Sequence, residues 1–346
     1  MEEDLFPHVN GQKKVKREWT GMIRENQVPH TMILYGDEGL GKTTAAVDLA
    51  CRLAGGENPR PFYEICRTWI EKPGDAQDKL LQAKERIWYI RPLGMELKME
   101  QFRLFMTASD SFTDEVHVCI IDEAQTMMPP VANALLKTLE EPAENLYFIL
   151  ITHDLRALLP TIQSRSVKFS FTPLDEKEYI RLMSLHADIF GVRGSEEIET
   201  AFQLTGGNPG MTREIFAGGS SGQPEKAMQF WETVTRSANP FTELSENILT
   251  DRKEFLKNLK WIRLVGRDIL VSRAVPEEDF RRCRSVGTRE TALAEFWTEK
   301  QMDQALQTLG TAEQACRRYI SVKSIWDMIV IELRYIRKGH TAWKRL

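Results

Sequence analysis

Gly36, Gly39, Gly41, Lys42 and Thr43 stand in the spacing G-x-x-x-x-G-K-[ST] within Tyr35–Thr44. Glycines reach backbone angles closed to other residues and carry no side chain, so successive N–H groups can curl around an anion. A helix that begins at the lysine would add its unpaired N–H groups and the positive end of its dipole. Lys42 is then placed to reach the β- and γ-phosphates of a nucleotide and the Thr43 hydroxyl to complete a Mg²⁺ shell, with Thr44 supporting the loop. ATP or ADP with Mg²⁺ is the cofactor this chemistry expects. A second reactive place is Asp122-Glu123, directly after the apolar run Val116–Ile121. There Asp122 would hold Mg²⁺ through water, and Glu123 would orient and polarise a water attacking the γ-phosphate. Two acids past a strand also suit an ordinary helix start; their place downstream of a phosphate loop favours the metal-and-water reading.

These side chains need a scaffold, and the hydrophobic pattern supplies one. Thr31–Tyr35 is short and apolar, as a buried parallel strand is, and Ala46, Leu49, Ala50, Leu53 and Ala54 recur behind the loop at helical spacing. Further strands are expected at Ile87–Ile90, Val116–Ile121, Leu146–Ile151 ending at Thr152, and Val167–Phe171. Between them lie a helix with Met99, Phe102 and Met106 on one face, and another, opened by Pro129-Pro130, carrying Ala132, Leu135, Leu136 and Leu139. The alternation predicts a parallel sheet with helices on both faces. Residues 60–85 are charged and give no clear pattern apart from a Lys72-Pro73-Gly74-Asp75 turn. Beyond Pro173 the strands stop: Asp175 with Glu178 forms a capping box, and three helices follow, the last after Gly206–Gly210. Gly218–Gly222 reads as a linker, and from Pro224 only helical periodicity is found. The expected domains are an α/β nucleotide-binding domain over 1–172, a three-helix lid over 173–218 and an all-α domain over 224–346.

At 346 residues the chain is too long for one ordinary core, and its 42% apolar content suffices for several. No run approaches the length of a membrane span, and the start Met1-Glu2-Glu3-Asp4 is acidic where a signal peptide is basic, so a cytoplasmic protein without membrane contact is expected. Five scattered cysteines with no C-x-x-C pair look like reduced core thiols. Residues 1–223 hold 24 basic against 33 acidic residues, and 224–346 hold 22 against 17, so a net charge of −4 divides into −9 and +5. Such an acidic front half is a poor stand-alone nucleic-acid binder. Arg281-Arg282-Cys283-Arg284 and Arg317-Arg318 fit a solvated helix face better than a contact surface.

The order of phosphate loop, acidic strand end, polar strand end, arginine and helical lid resembles the AAA+ ATPases. Asn133–Pro142 is similar to the helix that follows the acidic pair in clamp-loader subunits, and Leu159–Ser166 to their Ser-Arg-Cys motif, with Ser166 where cysteine is usual. The resemblance covers residues 5–217, and the helical remainder fits the family's oligomerising collar by domain order. It implies that Thr152 is a sensor helping to position the attacking water and that Arg165 is an arginine finger offered in trans to a neighbour's ATP. Motor subunits of the family carry an arginine in a Gly-x-x-Arg pattern in the lid; here Gly207-Asn208-Pro209-Gly210 puts Gly210 at that place, with Arg213 one helical turn on. This version resembles delta-prime-type subunits of the bacterial DNA polymerase III clamp loader, which act as ring scaffold. Their partners would be delta and gamma/tau-type subunits, the sliding clamp and, through the complex, primer-template DNA. Many bacterial relatives have a four-cysteine zinc module where this chain has only Cys66, so no zinc is expected. Two other readings stand beside the scaffold: an ATP-hydrolysing motor subunit of the same loader, and a P-loop small-molecule kinase.

Overall fold

The protein is described by a computed structural model covering residues 4–56, 58–71, 80–92, 96–109, 115–140, 142–192, 194–217, 223–245, 251–274, 287–317 and 320–339. The Lys72–Asp75 turn, the Gly218–Gly222 linker, the Arg281–Arg284 cluster and Arg318 lie outside the described residues. Two compact units are formed, residues 1–178 with 208–210, and residues 179–207 with 211–346.

The first unit contains strands β1 (Thr31–Tyr35), β2 (Leu80–Ala83), β3 (Ile87–Ile90), β4 (His117–Ile121), β5 (Leu146–Thr152) and β6 (Val167–Ser170) in the spatial order β2-β3-β4-β5-β1-β6. Its helices are α1 (Lys13–Arg24), α2 (Lys42–Gly55), α3 (Arg60–Glu71), α4 (Met99–Ser109), α5 (Pro129–Glu140) and α6 (Pro160–Ser164). All pairings are parallel except that of β2 with β3. The sheet is therefore mixed at one edge, and the patternless stretch 60–85 supplies both α3 and this antiparallel strand. Neither shows the long apolar run that marks the central strands, since an edge strand is buried less.

Successive side chains point to opposite faces of a strand. Met32, Leu34, Val118, Ile120, Ile149 and Ile151 accordingly join α2 and α3 in one core, whereas Ile33, Cys119, Ile121, Phe148 and Leu150 join α4, α5 and α6 in the other. The lead-in closes the first of these: Trp19, fully buried, meets Phe6 and Phe169 edge-on at 5.3 and 5.6 Å between ring centroids. Cys51, Cys66, Cys119 and Cys316 are buried and, among the described residues, form no disulfide.

The second unit is helical. It runs through most of α7 (Glu176–Leu185), then α8 (Ala187–Phe190), α9 (Gly194–Thr205), the end of α10 (Pro209–Thr212) with a π-helical turn over Arg213–Ala217, α11 (Gln223–Arg236), α12 (Pro240–Ser245), α13 (Arg252–Ala274), α14 (Gly287–Ala294), α15 (Glu299–Arg317) and α16 (Val322–Arg337). Buried tryptophans organise its core, and three of them place their N–H on an acceptor, as suits an apolar ring with a polar edge. Trp231 donates to Ile262 O at 2.8 Å, Trp297 to Thr235 Oγ1 at 2.9 Å and Trp326 to Leu244 O at 3.2 Å. Gly266 lets α13 approach Trp231, where a Cβ would stand 2.5 Å from the indole. Among the described residues no helix is long and apolar enough to cross a membrane.

Candidate nucleotide site

In an open sheet of mainly parallel strands, ligands bind outside the carboxyl ends of the strands. The loop after β1 lies there. Gly36, Gly39 and Gly41 have φ of 142°, 83° and 82°, left-handed backbone that only glycine adopts without strain. A Cβ on Gly36 would meet Phe171 O at 2.4 Å, so the loop also needs its glycine for space. Gly41 is the N-cap of α2 and offers no side chain to the helix's first N–H groups, which leaves them to an anion.

Lys42 is 7% exposed, and its ammonium donates to Gly36 O at 2.8 Å and Asp37 O at 2.6 Å. Burial pushes its pKa down, while Asp122, Glu38 and Asp37 oppose the shift. The register brings the metal-type residues beside it. Ile121 pairs with Leu150 and Tyr35 with Thr152, so Asp122, Thr152 and the loop emerge at the carboxyl ends of neighbouring parallel strands. Thr43 Oγ1 donates to Asp122 Oδ2 at 3.1 Å, and Tyr89 OH donates to the same oxygen at 2.5 Å. Burial, and then the Asp122 carboxylate, raise the Tyr89 phenol well above its usual value, which keeps it a donor. A hydroxyl and a carboxylate at hydrogen-bond distance, with a buried lysine next to them, form the hard-oxygen donor set that suits Mg²⁺ beside a phosphate. Glu123 is exposed and sits at φ 49°, an uncommon backbone for a glutamate; its N–H is held by Asp122 Oδ1 at 2.9 Å and its carbonyl by Thr126 Oγ1 at 2.8 Å. Thr44 is half-buried on the first turn of α2.

Thr152 is 1% exposed and exchanges hydrogen bonds with Asp154, its hydroxyl donating to Asp154 O and accepting from Asp154 N, both at 3.0 Å. Arg165 is not part of this group. It caps α6 just before β6, and Val167 pairs with Met32 near the beginning of β1. Parallel pairing therefore puts Arg165 at the amino ends of the strands, roughly 10–17 Å of strand away from the loop. There, half-exposed, it pairs with Glu140 Oε1 at 2.9 Å and donates to Thr161 O at 3.2 Å.

Two contacts were not legible beforehand. Tyr89 reads as one more apolar strand residue, and only the β3–β4 pairing brings its hydroxyl to Asp122. Asn208 and Gly210, remote in sequence, belong to the first unit and clasp the loop: Asn208 Nδ2 donates to Glu38 O at 2.8 Å and Gly210 N to Gly39 O at 2.9 Å. The two glycine backbones touch, and a Cβ on Gly210 would lie 2.3 Å from Gly39 Cα.

The mainly parallel sheet, the glycine loop and the paired Thr43–Asp122 define a module of the P-loop class. Residues 11–175 match the family described as DNA polymerase III, delta subunit. The chain is 30% identical to replication factor C subunit 3 of Schizosaccharomyces pombe over 51% of its own length and 44% of that protein. It is also 30% identical to DNA polymerase III subunit gamma of Buchnera aphidicola subsp. Schizaphis graminum, over 51% of its length and 48% of the relative. A gamma-subunit-related DNA polymerase III protein from Thermotoga maritima superposes with a TM-score of 0.44 at 15% identity, covering 92% of this chain and 99% of that one. The chain spans about half the length of these two relatives. Over the matched residues the chain is similar to clamp-loader subunits of the DNA polymerase III and replication factor C kind.

Proposed function

We propose that this chain is a delta-prime-type scaffold subunit of a bacterial DNA polymerase III clamp loader, which helps to open the sliding clamp and load it on primed DNA. Its neighbours would be delta and gamma/tau-type subunits. The observation that carries the reading is the placement of Arg165 at the strand ends opposite its own phosphate loop. A guanidinium there serves no nucleotide held by Lys42, but it can neutralise charge on a nucleotide bound to an adjacent subunit, a contribution worth about 10³–10⁵ in rate where arginine fingers act. Glu140 holds the side chain in readiness at 2.9 Å.

The chain's own site fits ATP or ADP with Mg²⁺. Lys42 would hold the β- and γ-phosphates, Thr43 and Asp122 the cation, and the left-handed glycines would turn N–H groups to the phosphates. Mg²⁺ would supply charge neutralisation at the phosphate oxygens. Glu123 and Thr152 would orient water, as the resemblance implies. Turnover is disfavoured by Gly210: its backbone lies against Gly39, so the place where motor subunits carry an arginine has no room for a side chain. The intact pair of Thr43 and Asp122, with Tyr89 supporting it, favours the second reading, a hydrolysing motor subunit of the same loader.

The two readings part on one measurement. The isolated chain should bind ATP with little hydrolysis; brisk turnover without partners would sink the scaffold reading. In the assembled loader, Arg165→Ala should depress hydrolysis at the adjacent subunit's site by two or more orders of magnitude while leaving nucleotide affinity of this chain unchanged. An unaltered rate would remove the trans role.

A further inference from the structure

We propose that the helical unit carries a surface for single-stranded nucleic acid, built on the ring of Phe296 and the guanidinium groups of Arg236, Arg334 and Arg337.

Phe296 is 47% exposed, although the next residue, Trp297, is 1% exposed and central to the core. The Cζ of Arg236 lies 5.7 Å from the ring centroid and that of Arg337 5.9 Å. These arginines end two different helices, α11 and α16, and both ends are anchored. Arg334 donates to Ser237 O at 3.5 Å and Ala238 O at 2.6 Å, the two residues after Arg236, so one side chain ties the helix ends together. Gln301 Nε2 donates to Ile336 O and Arg337 O, each at 3.0 Å, and fixes the last turn of α16. Among the described residues none of the three arginines is in an ion pair. The nearest carboxylate in sequence, Glu232, is hydrogen-bonded by Arg289 at 2.6 and 2.8 Å and also feels the charge of Arg236, with which it forms no ion pair. The neighbouring charge of Arg334 adds to burial in lowering the pKa of Arg337, as expected where like charges are crowded.

A helix dipole accounts for one cation at each carboxyl end. It does not account for two guanidiniums set over one open aromatic ring, with a third tying their helix ends together, in a half of the chain that carries +5. An exposed π-face flanked by guanidiniums fits an unpaired base stacked beside its neutralised phosphates. A duplex keeps its base faces covered, and an acidic peptide needs the arginines but not the ring. The placement is independent of the clamp-loader reading.

The test uses the full chain and a fluorescein-labelled oligo-dT, with fluorescence anisotropy as readout. Binding should fall with salt at a log–log slope of about −2, the value for three phosphates on a single strand. Phe296→Leu keeps apolar volume without a π-face and should weaken binding by about five- to a hundredfold, the effect of losing one stacked base, whereas Phe296→Tyr should bind as the parent does. The double variant Arg236→Gln/Arg337→Gln should bring the slope to about −0.7, that of one remaining phosphate contact. The proposal is overturned if oligo-dT does not bind, if Phe296→Leu binds like the parent, or if a duplex of equal length or poly-glutamate binds as well as the single strand.

Discussion

Replacing Gly210 by alanine is the sharpest perturbation of the loop that the geometry offers. Gly210 sits in a helical turn, where alanine ordinarily stabilises by roughly 0.5–1 kcal/mol through the unfolded state and helix propensity. Here the new Cβ would stand 2.3 Å from Gly39 Cα and 3.0 Å from Gly39 O, both backbone atoms that cannot swing away. Separating the segments to ordinary contact needs about 1 Å, which lengthens the Gly210 N–Gly39 O bond of 2.9 Å and the Asn208–Glu38 bond of 2.8 Å. Overpacking of this kind costs about 1–3 kcal/mol and a weakened hydrogen bond about 1 kcal/mol more; set against the usual gain from alanine, a net loss of about 1–3.5 kcal/mol is expected. For a unit of this size that lowers Tm by about 2–14 °C. Where residues 208–210 lift away instead, the loss is local, and amide exchange over Gly36–Thr44 accelerates. Gly210→Arg should behave like Gly210→Ala, without a gain in ATP turnover. A Gly210→Ala protein with an equal or higher Tm and unchanged loop exchange would refute the clasp and remove the main structural argument against the motor reading.

Other expectations follow from single contacts. Lys42→Ala removes charge-assisted bonds to a bound phosphate and should weaken Mg-ATP binding by about ten- to a hundredfold in a calorimetric titration. Its effect on Tm should be small, because burying the ammonium carries a cost of its own. Trp19→Ala opens a cavity between Phe6 and Phe169 and should cost about 3–5 kcal/mol in denaturant unfolding. Arg289 hydrogen-bonds Glu232 and Glu225, and the first of these bonds holds the Glu232 carboxyl below its ordinary 4.5. Because the folded value is the lower one, this stability is present above pH 4.5 and is lost as pH falls through the folded value. Thermal unfolding between pH 6 and 3 should therefore be less pH-sensitive in Arg289→Ala than in the parent, and parallel curves would exclude the linkage.

Local physics made much of the fold legible in the sequence. Thr31–Tyr35, Ile87–Ile90 and Leu146–Thr152 are strands because continuous apolar runs bounded by turns cannot be buried otherwise in a parallel sheet. The glycine spacing in Gly36–Gly41 announces its own left-handed backbone, because few other residues tolerate it. The charged stretch that became α3 and β2 was not legible, since burial of an edge strand is settled by its neighbours and not by its own composition.

What only tertiary structure decided concerns direction and distance. Lys42, Thr43, Asp122 and Thr152 share the carboxyl end of the sheet because β1, β4 and β5 run parallel in register, a relation among segments far apart in the chain. By the same register Arg165, two residues before its strand, falls at the other end. A motif records residue types at fixed spacing along one segment. Which end of the sheet that segment meets, and whether Gly210 rests on Gly39, depend on long-range pairing that local sequence does not encode.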